Sequence, residues 1–206
     1  MQEVKVDLAR AKFFDEFSDS WDTLGPSPKP EVVLTFLQKL NIDPEKTVLD
    51  VGTGTGFLIP HIFSFHPARV IALDLSAGML SILRRKYSSR FGASLEILHG
   101  DVHLLNLRDA TVDIAICNGV YPHFHDKPLA LSQLHRVLKK RGILAVNHFA
   151  GRQFINSIHG SSSHDLIRQD LLDSAMILSE TIVCQGFHVK AWRDDSKEYY
   201  LIAEKI

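Results

Sequence analysis

The sequence predicts an α/β fold: a mostly parallel sheet with helices on both faces and an antiparallel last strand. Three observations predict it. Short apolar runs alternate with helical segments from residue 47 onward, as in a sheet whose strands are joined by crossover helices. The first of these runs enters a glycine-rich turn, Gly52-Thr53-Gly54-Thr55-Gly56. The last two are joined only by Arg193-Asp194-Asp195-Ser196-Lys197-Glu198. A parallel crossover needs about a dozen residues or more, so this link must be a hairpin.

The elements follow in order. Phe13, Phe14, Phe17 and Trp21 recur at helical spacing and give a first helix one aromatic face. Gly25-Pro26-Ser27-Pro28-Lys29-Pro30 breaks the chain. Val32, Val33, Phe36, Leu37 and Leu40 form the apolar face of a second helix. Thr47–Val51 is a short strand running into the glycines, and Phe57 to Phe65 a helix. Arg69–Asp74 is the second strand, and Ser76 is placed to cap the helix Ala77 to Tyr87. Leu95–Leu98 and Val112–Cys117 are the third and fourth strands, and Leu129 to Leu138 the next helix. Gly142–Asn147 is the fifth strand, after a turn at Lys139-Lys140-Arg141. A later helix ends near Gln185, with Gly186 as its left-handed stop. Phe187–Trp192 and Tyr199–Ala203 are the hairpin strands.

With 206 residues, the chain has room for one domain with a large core. A net charge of −1 and only two basic triplets, Arg84-Arg85-Lys86 and Lys139-Lys140-Arg141, argue against a dedicated nucleic-acid partner. The first residues carry no apolar run, and no stretch approaches the ~20 apolar residues that span a bilayer, so neither a signal peptide nor a membrane partner is expected. Cys117 and Cys184 lack zinc or redox spacing and read as buried free thiols, which fits a cytoplasmic protein.

The chemistry concentrates at strand ends. A strand running into Gly52, Gly54 and Gly56 brings backbone close to a ligand at a helix start. Dinucleotide enzymes use glycines similarly, but they need a small residue three after the second glycine, and here Phe57 stands there. Asp50 precedes the loop, where a carboxylate opposes a pyrophosphate and suits a cationic ligand. Asp74 ends the second strand, placed to accept from both hydroxyls of a ribose. Asp101 follows the third strand and can accept from an adenine amino group, with Val102 against the ring.

In order, Leu49-Asp50-Val51-Gly52-Thr53-Gly54-Thr55-Gly56, Ala72-Leu73-Asp74-Leu75-Ser76-Ala77-Gly78-Met79-Leu80 and Gly100-Asp101-Val102 resemble the successive cofactor motifs of class I S-adenosylmethionine-dependent methyltransferases. Val137 to Leu144 resembles that family's turn into the fifth strand, with Lys140-Arg141 in place of the usual Pro-Gly. The resemblance covers about residues 10 to 206. It implies a Rossmann-like seven-stranded sheet with a reversed last strand, and S-adenosyl-L-methionine as cofactor. It carries Asp50, Gly52, Thr53, Gly54 and Gly56 to the methionine end, Asp74 with Leu75 to the ribose, and Asp101 with Val102 and Met79 to the adenine. Residues 1–30 resemble the N-terminal helical lid of small-molecule methyltransferases, with Phe14 and Trp21 towards the acceptor, over a catalytic core at 45–206 of a single domain.

The acceptor should lie beyond the carboxyl ends of the strands. The fourth strand runs into Asn118-Gly119-Val120-Tyr121-Pro122-His123-Phe124-His125, the fifth into Asn147-His148-Phe149, and His159 and His164 follow. This predicts a histidine-lined pocket with His123 or His148 as base, and with Tyr121, His125, His159 and His164 around the substrate. A metal held by His123, His125 and His148 is a second reading of the same residues, without a fixed ligand spacing to support it. Asn118 borders the cofactor's methionine end. Amino-methylating relatives carry Asn or Asp followed by Pro-Pro-Tyr at this place. Asn118-Gly119-Val120-Tyr121 departs from that pattern and argues against adenine-N6 or glutamine methylation. The expected activity is methyl transfer to a small molecule. Methylation of protein or RNA, or a catalytically silent subunit that binds the cofactor, remain the alternatives.

Overall fold

Thr47–Val51 (β1) lies in the interior of the sheet, because its apolar side chains can be covered on both faces. The structure is a computed structural model and describes residues 6–25 and 27–206. Residues 1–5 and Pro26 of the predicted N-terminal segment lie outside the described residues. Before β1 come Leu8–Phe17 (α1), a 3-10 turn Ser18–Thr23, and Pro30–Gln38 (α2). After it come Ile59–Phe63 (α3), Arg69–Asp74 (β2), Ala77–Phe91 (α4), Leu95–His99 (β3), Val112–Asn118 (β4), Lys127–Val137 (α5) and Leu138–His148 (β5). Arg152–Gly160 (α6), Asp165–Arg168 (α7), Ala175–Cys184 (α8), Phe187–Asp194 (β6) and Tyr199–Lys205 (β7) complete the chain.

The seven strands are ordered β3-β2-β1-β4-β5-β7-β6. β1 to β5 run parallel, and β7 is antiparallel to both β5 and β6. The six-residue link forced a hairpin, and β7 returns from it into the gap between β5 and β6. Asp195 builds the turn by accepting from the main-chain N–H groups of Lys197 (2.8 Å) and Glu198 (3.1 Å). The cap on α4 is as predicted: the Ser76 hydroxyl accepts from the Met79 N–H at 3.0 Å. Gly186 closes α8 at a φ of 84°. Two apolar clusters cover the two faces of the sheet. One holds Leu49, Leu73, Cys117, Leu134, Val146 and Leu201, and the other Val48, Ala72, Ile116, Leu37, Leu83 and Ile202. Alternation along each strand sends successive side chains to opposite clusters.

Three expectations need correction. β5 starts at Leu138, not Gly142, and the basic triplet belongs to the strand. Val112 pairs with Leu138, whereas Ile114 pairs with Ile143, so the extra residues form a bulge. Arg141 takes the left-handed conformation there (φ 63°), and Lys139 reaches Asp113 at 2.8 Å. The helix expected from Phe57 shortens to a single turn from Ile59, because the chain first turns through hydrogen bonds from Gly56 N–H to Thr53 and from Ile59 N–H to Gly56. Cys117 is buried, but Cys184, the last residue of α8, is exposed. Among the described residues no helix is long and apolar enough to cross a membrane.

Candidate functional site

The strand order reverses between β1 and β4, and in open α/β sheets the crevice for a ligand forms beyond the strand ends at that point. A cavity of about 280 Å³ opens there. Its floor is the turn after β1. Gly52 and Gly54 adopt φ of 66° and 56°, a region that side chains rarely occupy. A Cβ on Gly52 would stand 2.3 Å from a methyl of Val120, so the turns after β1 and β4 close on each other only with glycine there.

The acids at the strand ends are fixed by this backbone. Asp74 accepts from the Gly54 N–H at 2.7 Å with one oxygen and from the Ser76 N–H at 2.8 Å with the other. A carboxylate has about four acceptor positions, so two remain for a ligand's hydroxyls. Burial pushes the Asp74 carboxyl up, and the N–H groups of Ser76, Gly54 and Leu75 offset that only in part. Asp50 sits beneath the glycine turn and accepts from the Thr53 hydroxyl at 2.6 Å. Burial raises its pKa to about 7 against the pull of Thr53, and the Asp74 charge adds to the rise. Burial also pushes Asp101 up, but the ring and main-chain N–H of His103 and the N–H of Asp7 outweigh it and hold the carboxyl below its usual range.

Of the predicted cofactor residues, Gly52, Thr53, Gly54, Asp74, Leu75, Met79, Asp101, Val102 and Asn118 line the cavity. Asp50 stands behind the lining. Gly56 faces away from the cavity: at a φ of 90°, its missing Cβ would stand 2.9 Å from Tyr87 on α4. Gly56 therefore seats the turn against α4. Among the predicted acceptor residues, Phe14, Trp21, His123 and His125 line the cavity, while Tyr121, His148, His159 and His164 do not. Tyr121 is buried under Phe124, with ring centroids 5.7 Å apart. His148 is buried beside Tyr199, and burial lowers its pKa to about 3. Its Nε2 and the Tyr199 hydroxyl have no hydrogen-bond partner among the described residues. His159 bonds the main-chain oxygen of Asp170 behind His123, and the exposed His164 packs edge-on to Phe13.

Sequence reasoning missed four residues. His103 holds Asp101 through its main-chain N–H (2.9 Å) and Nδ1 (2.5 Å). Asp7 caps α1 and donates its N–H to Asp101 at 3.2 Å. Asp170, in the loop after α7, accepts from His123 Nδ1 at 2.8 Å and from Arg10 Nε at 3.1 Å. Arg10 also pairs with Asp7. The signals were a buried pair of opposite charges 160 residues apart in the chain and a histidine two residues after a strand-end acid, neither of which forms a motif.

α1 and the turn after it roof the cavity, and their attachments are polar. Asp15 accepts from the Ser76 hydroxyl (2.5 Å) and the Gly78 N–H (2.8 Å), and Asp22 accepts from Thr55 (2.5 Å) and pairs with Lys86 (2.5 Å). Phe14 meets His123 edge-on with centroids 5.2 Å apart, and Trp21 meets Phe14 at 5.6 Å. No α1 side chain is buried.

The donor set distinguishes among ligands. The lining carries the carboxylates of Asp7, Asp74 and Asp101, and its one permanent cation among the described residues, Arg10, is paired with Asp7 and Asp170. Such a site opposes a pyrophosphate and suits a cationic nucleoside. Among the described residues the group with metal-ligand spacing is Asp101, His103 and His125, not His123, His125 and His148. His103 has no nitrogen left for a metal: Nδ1 bonds Asp101, and Nε2 accepts from the Asp126 N–H at 3.3 Å.

Comparison with known proteins agrees with this chemistry. Residues 49–146 match the family model described as a methyltransferase domain. An uncharacterized methyltransferase of Schizosaccharomyces pombe is 28% identical over 126 residues, covering 61% of this chain and 48% of that protein. A malonyl-acyl-carrier-protein O-methyltransferase of Serratia marcescens is 33% identical over 107 residues, covering 52% of this chain and 40% of that protein. The matched regions thus span less than half the length of these curated relatives. A solved S-adenosylmethionine-dependent methyltransferase from Aquifex aeolicus superposes with a TM-score of 0.70 at 20% identity, covering 98% of this chain and 100% of that one. By the family model over residues 49–146, by the order of its motifs and by its sheet, the chain is similar to the class I S-adenosylmethionine-dependent methyltransferases.

Proposed function

We propose that this chain transfers a methyl group from S-adenosylmethionine to a heteroatom of a small molecule, with His123 as the base. The observation that carries the reading is that one cavity holds both the nucleoside acids and His123, whose Nδ1 is engaged by Asp170. Nε2 has no partner among the described residues and is the nitrogen left to receive a proton. Burial lowers the His123 pKa, with Asp170 partly offsetting it, so the ring is neutral and able to accept at pH 7.

The residues fit the cofactor. Asp74 keeps two acceptor positions for the ribose hydroxyls. Asp101, fixed by His103, faces the adenine amino group, with Val102 and Met79 against the ring. Gly52, Thr53, Gly54 and Asn118 surround the methionine end, where Asp50 supplies negative charge from behind. When bound, the cofactor would supply an electrophilic methyl to the acceptor heteroatom, with its own thioether as leaving group, and His123 Nε2 would take the proton that the acceptor gives up. Phe14 and Trp21 hold water away from that step, and the seated helix aligns the acceptor. The cavity, about 280 Å³, is just below the ~300–1,000 Å³ usual for ligand pockets, and the chain carries a net charge of −1, which favours a small acceptor over a protein or RNA. The domain reading, a lid at 1–30 over a core at 45–206, belongs to the same proposal.

The test is incubation with methyl-labelled cofactor and a cell extract, followed by fractionation. Label in the small-molecule fraction, with a product heavier by one methylene, is the expected result. Label confined to protein or RNA overturns the small-molecule reading, and no label in any fraction leaves a silent cofactor-binding subunit.

Asp50 makes the binding pH-dependent. Its carboxyl titrates near 7 in the free protein, and a cationic ligand favours its ionised form. Below 7 the ligand must displace a proton, so affinity rises as pH climbs towards 7, and binding releases protons. Calorimetry in buffers of different ionisation enthalpy should show that release, and Asp50→Asn should abolish it. Equal proton release in wild type and variant would remove Asp50 from the linkage.

A further inference from the structure

We propose that Asp170 orients His123 as the proton acceptor, and that Arg10, carried on α1, completes this arrangement only when α1 is seated over the cavity. The inference rests on the reading of His123 as the base. The three side chains come from three parts of the fold: Arg10 from α1, His123 from the turn after β4, and Asp170 from the loop before α8. They are nearly buried, with side-chain exposures of 11%, 11% and 5%. Asp170 Oδ2 accepts from both His123 Nδ1 at 2.8 Å and Arg10 Nε at 3.1 Å, while its other oxygen pairs with Arg10 Nη2. A carboxylate on Nδ1 holds the proton there and turns the lone pair of Nε2 outward. The geometry fixes both the tautomer and the direction of the ring.

The charges fit a proton that arrives during turnover. Asp7, Arg10 and Asp170 with neutral His123 carry a net charge of −1. When the acceptor's proton moves to Nε2 as its heteroatom takes the methyl, the group becomes neutral, and Asp170 stays ionised throughout. Arg10 keeps the bare Asp170 carboxylate from being an unpaired buried charge, which would be costly. Among the described residues the Arg10 side chain pairs with Asp7, on its own segment, and with Asp170. Lifting α1 would therefore separate Arg10 from Asp170 and leave the base unsupported. The groups facing His123 are Asp170, Arg10, His159 from α6 and His148 from β5, with the Phe14 ring against its edge.

The test needs no acceptor. Ring nitrogens of ¹⁵N-histidine-labelled protein are followed by two-bond ¹H–¹⁵N correlation against pH, with His123→Gln assigning the His123 signals. Wild type should show the Nδ1–H tautomer at neutral pH. Asp170→Asn removes the charge that favours imidazolium, so the His123 titration should move to lower pH. Arg10→Met removes a cation that opposes imidazolium, so it should move to higher pH. Asp170→Glu should restore the wild-type direction, and Arg10→Gln stands in should Arg10→Met not fold. An Nε2–H tautomer in wild type overturns the proposal. So do titrations that stay put, or move the same way in both variants, since a purely structural pair would lower stability without opposed shifts. Labelled methyl transfer by the wild-type protein is read separately. Transfer without the opposed shifts sinks this inference alone, and opposed shifts without transfer sink the proposed activity.

Discussion

His123→Gln lowers the rate of methyl transfer by about 10²- to 10⁴-fold, the usual contribution of a positioned base, and leaves cofactor affinity unchanged. Glutamine fills much of the same space and still bonds Asp170, and Asp170 remains paired with Arg10, so the surroundings have no reason to rearrange. Asp74 and Asp101 keep their own partners, none of which is His123. The loss therefore falls on the chemical step. It is measured by single-turnover transfer from labelled cofactor to the acceptor that the labelling of cell extract identifies, with calorimetry for affinity. A drop of less than about tenfold would mean that alignment of the two substrates, which alone can supply most of a bimolecular rate, does the work without His123.

Asp74→Ala acts on binding instead. The substitution removes two ligand hydrogen bonds to a charged acceptor and frees the N–H groups of Gly54 and Ser76, so the glycine turn loses its anchor as well. The expected weakening is about 1–3 kcal/mol, which is roughly 5- to 150-fold in the dissociation constant for S-adenosylmethionine. Asp74→Asn should fall between, because its amide oxygen can still accept from one of the two N–H groups but its NH₂ cannot accept from the other. Calorimetric titration decides, and an unchanged affinity would take Asp74 out of the site.

The sheet was legible because its strongest constraint is local. A six-residue link cannot cross over, so the reversed β7 could be read from Arg193 to Glu198. The placing of the acids around the cavity was legible for the same reason: Asp50 and Asp74 lie at the ends of their own strands and Asp101 just after one, and short backbone contacts do the rest. The acceptor side failed that test. The histidines after β4 and β5 cluster in sequence, but β5 alternates, sending Asn147 to Asn118 (2.9 Å) and His148 to the opposite face beside Tyr199. Asp170 and Arg10 carry no local signal, since their meaning lies in a contact across 160 residues. The start of β5 was misread because Lys139-Lys140-Arg141 has the polarity of a turn, and the bulge that admits it depends on pairing with β4.

The polar attachment of α1 has a kinetic consequence. A roof held by buried leucines would lift only with a large hydrophobic cost and would barely notice salt. This one is held by carboxylates at Asp15, Asp22 and Asp170 and by the N–H of Asp7, with no buried α1 side chain behind them. Under the proposed lid role, its lifetime in the down position is set by charges whose exposed members are screened within about 8–10 Å at moderate ionic strength. Residence times of cofactor and product should therefore shorten as salt is added, while the floor of the cavity, fixed by Gly52, Gly54 and Asp74, keeps its shape.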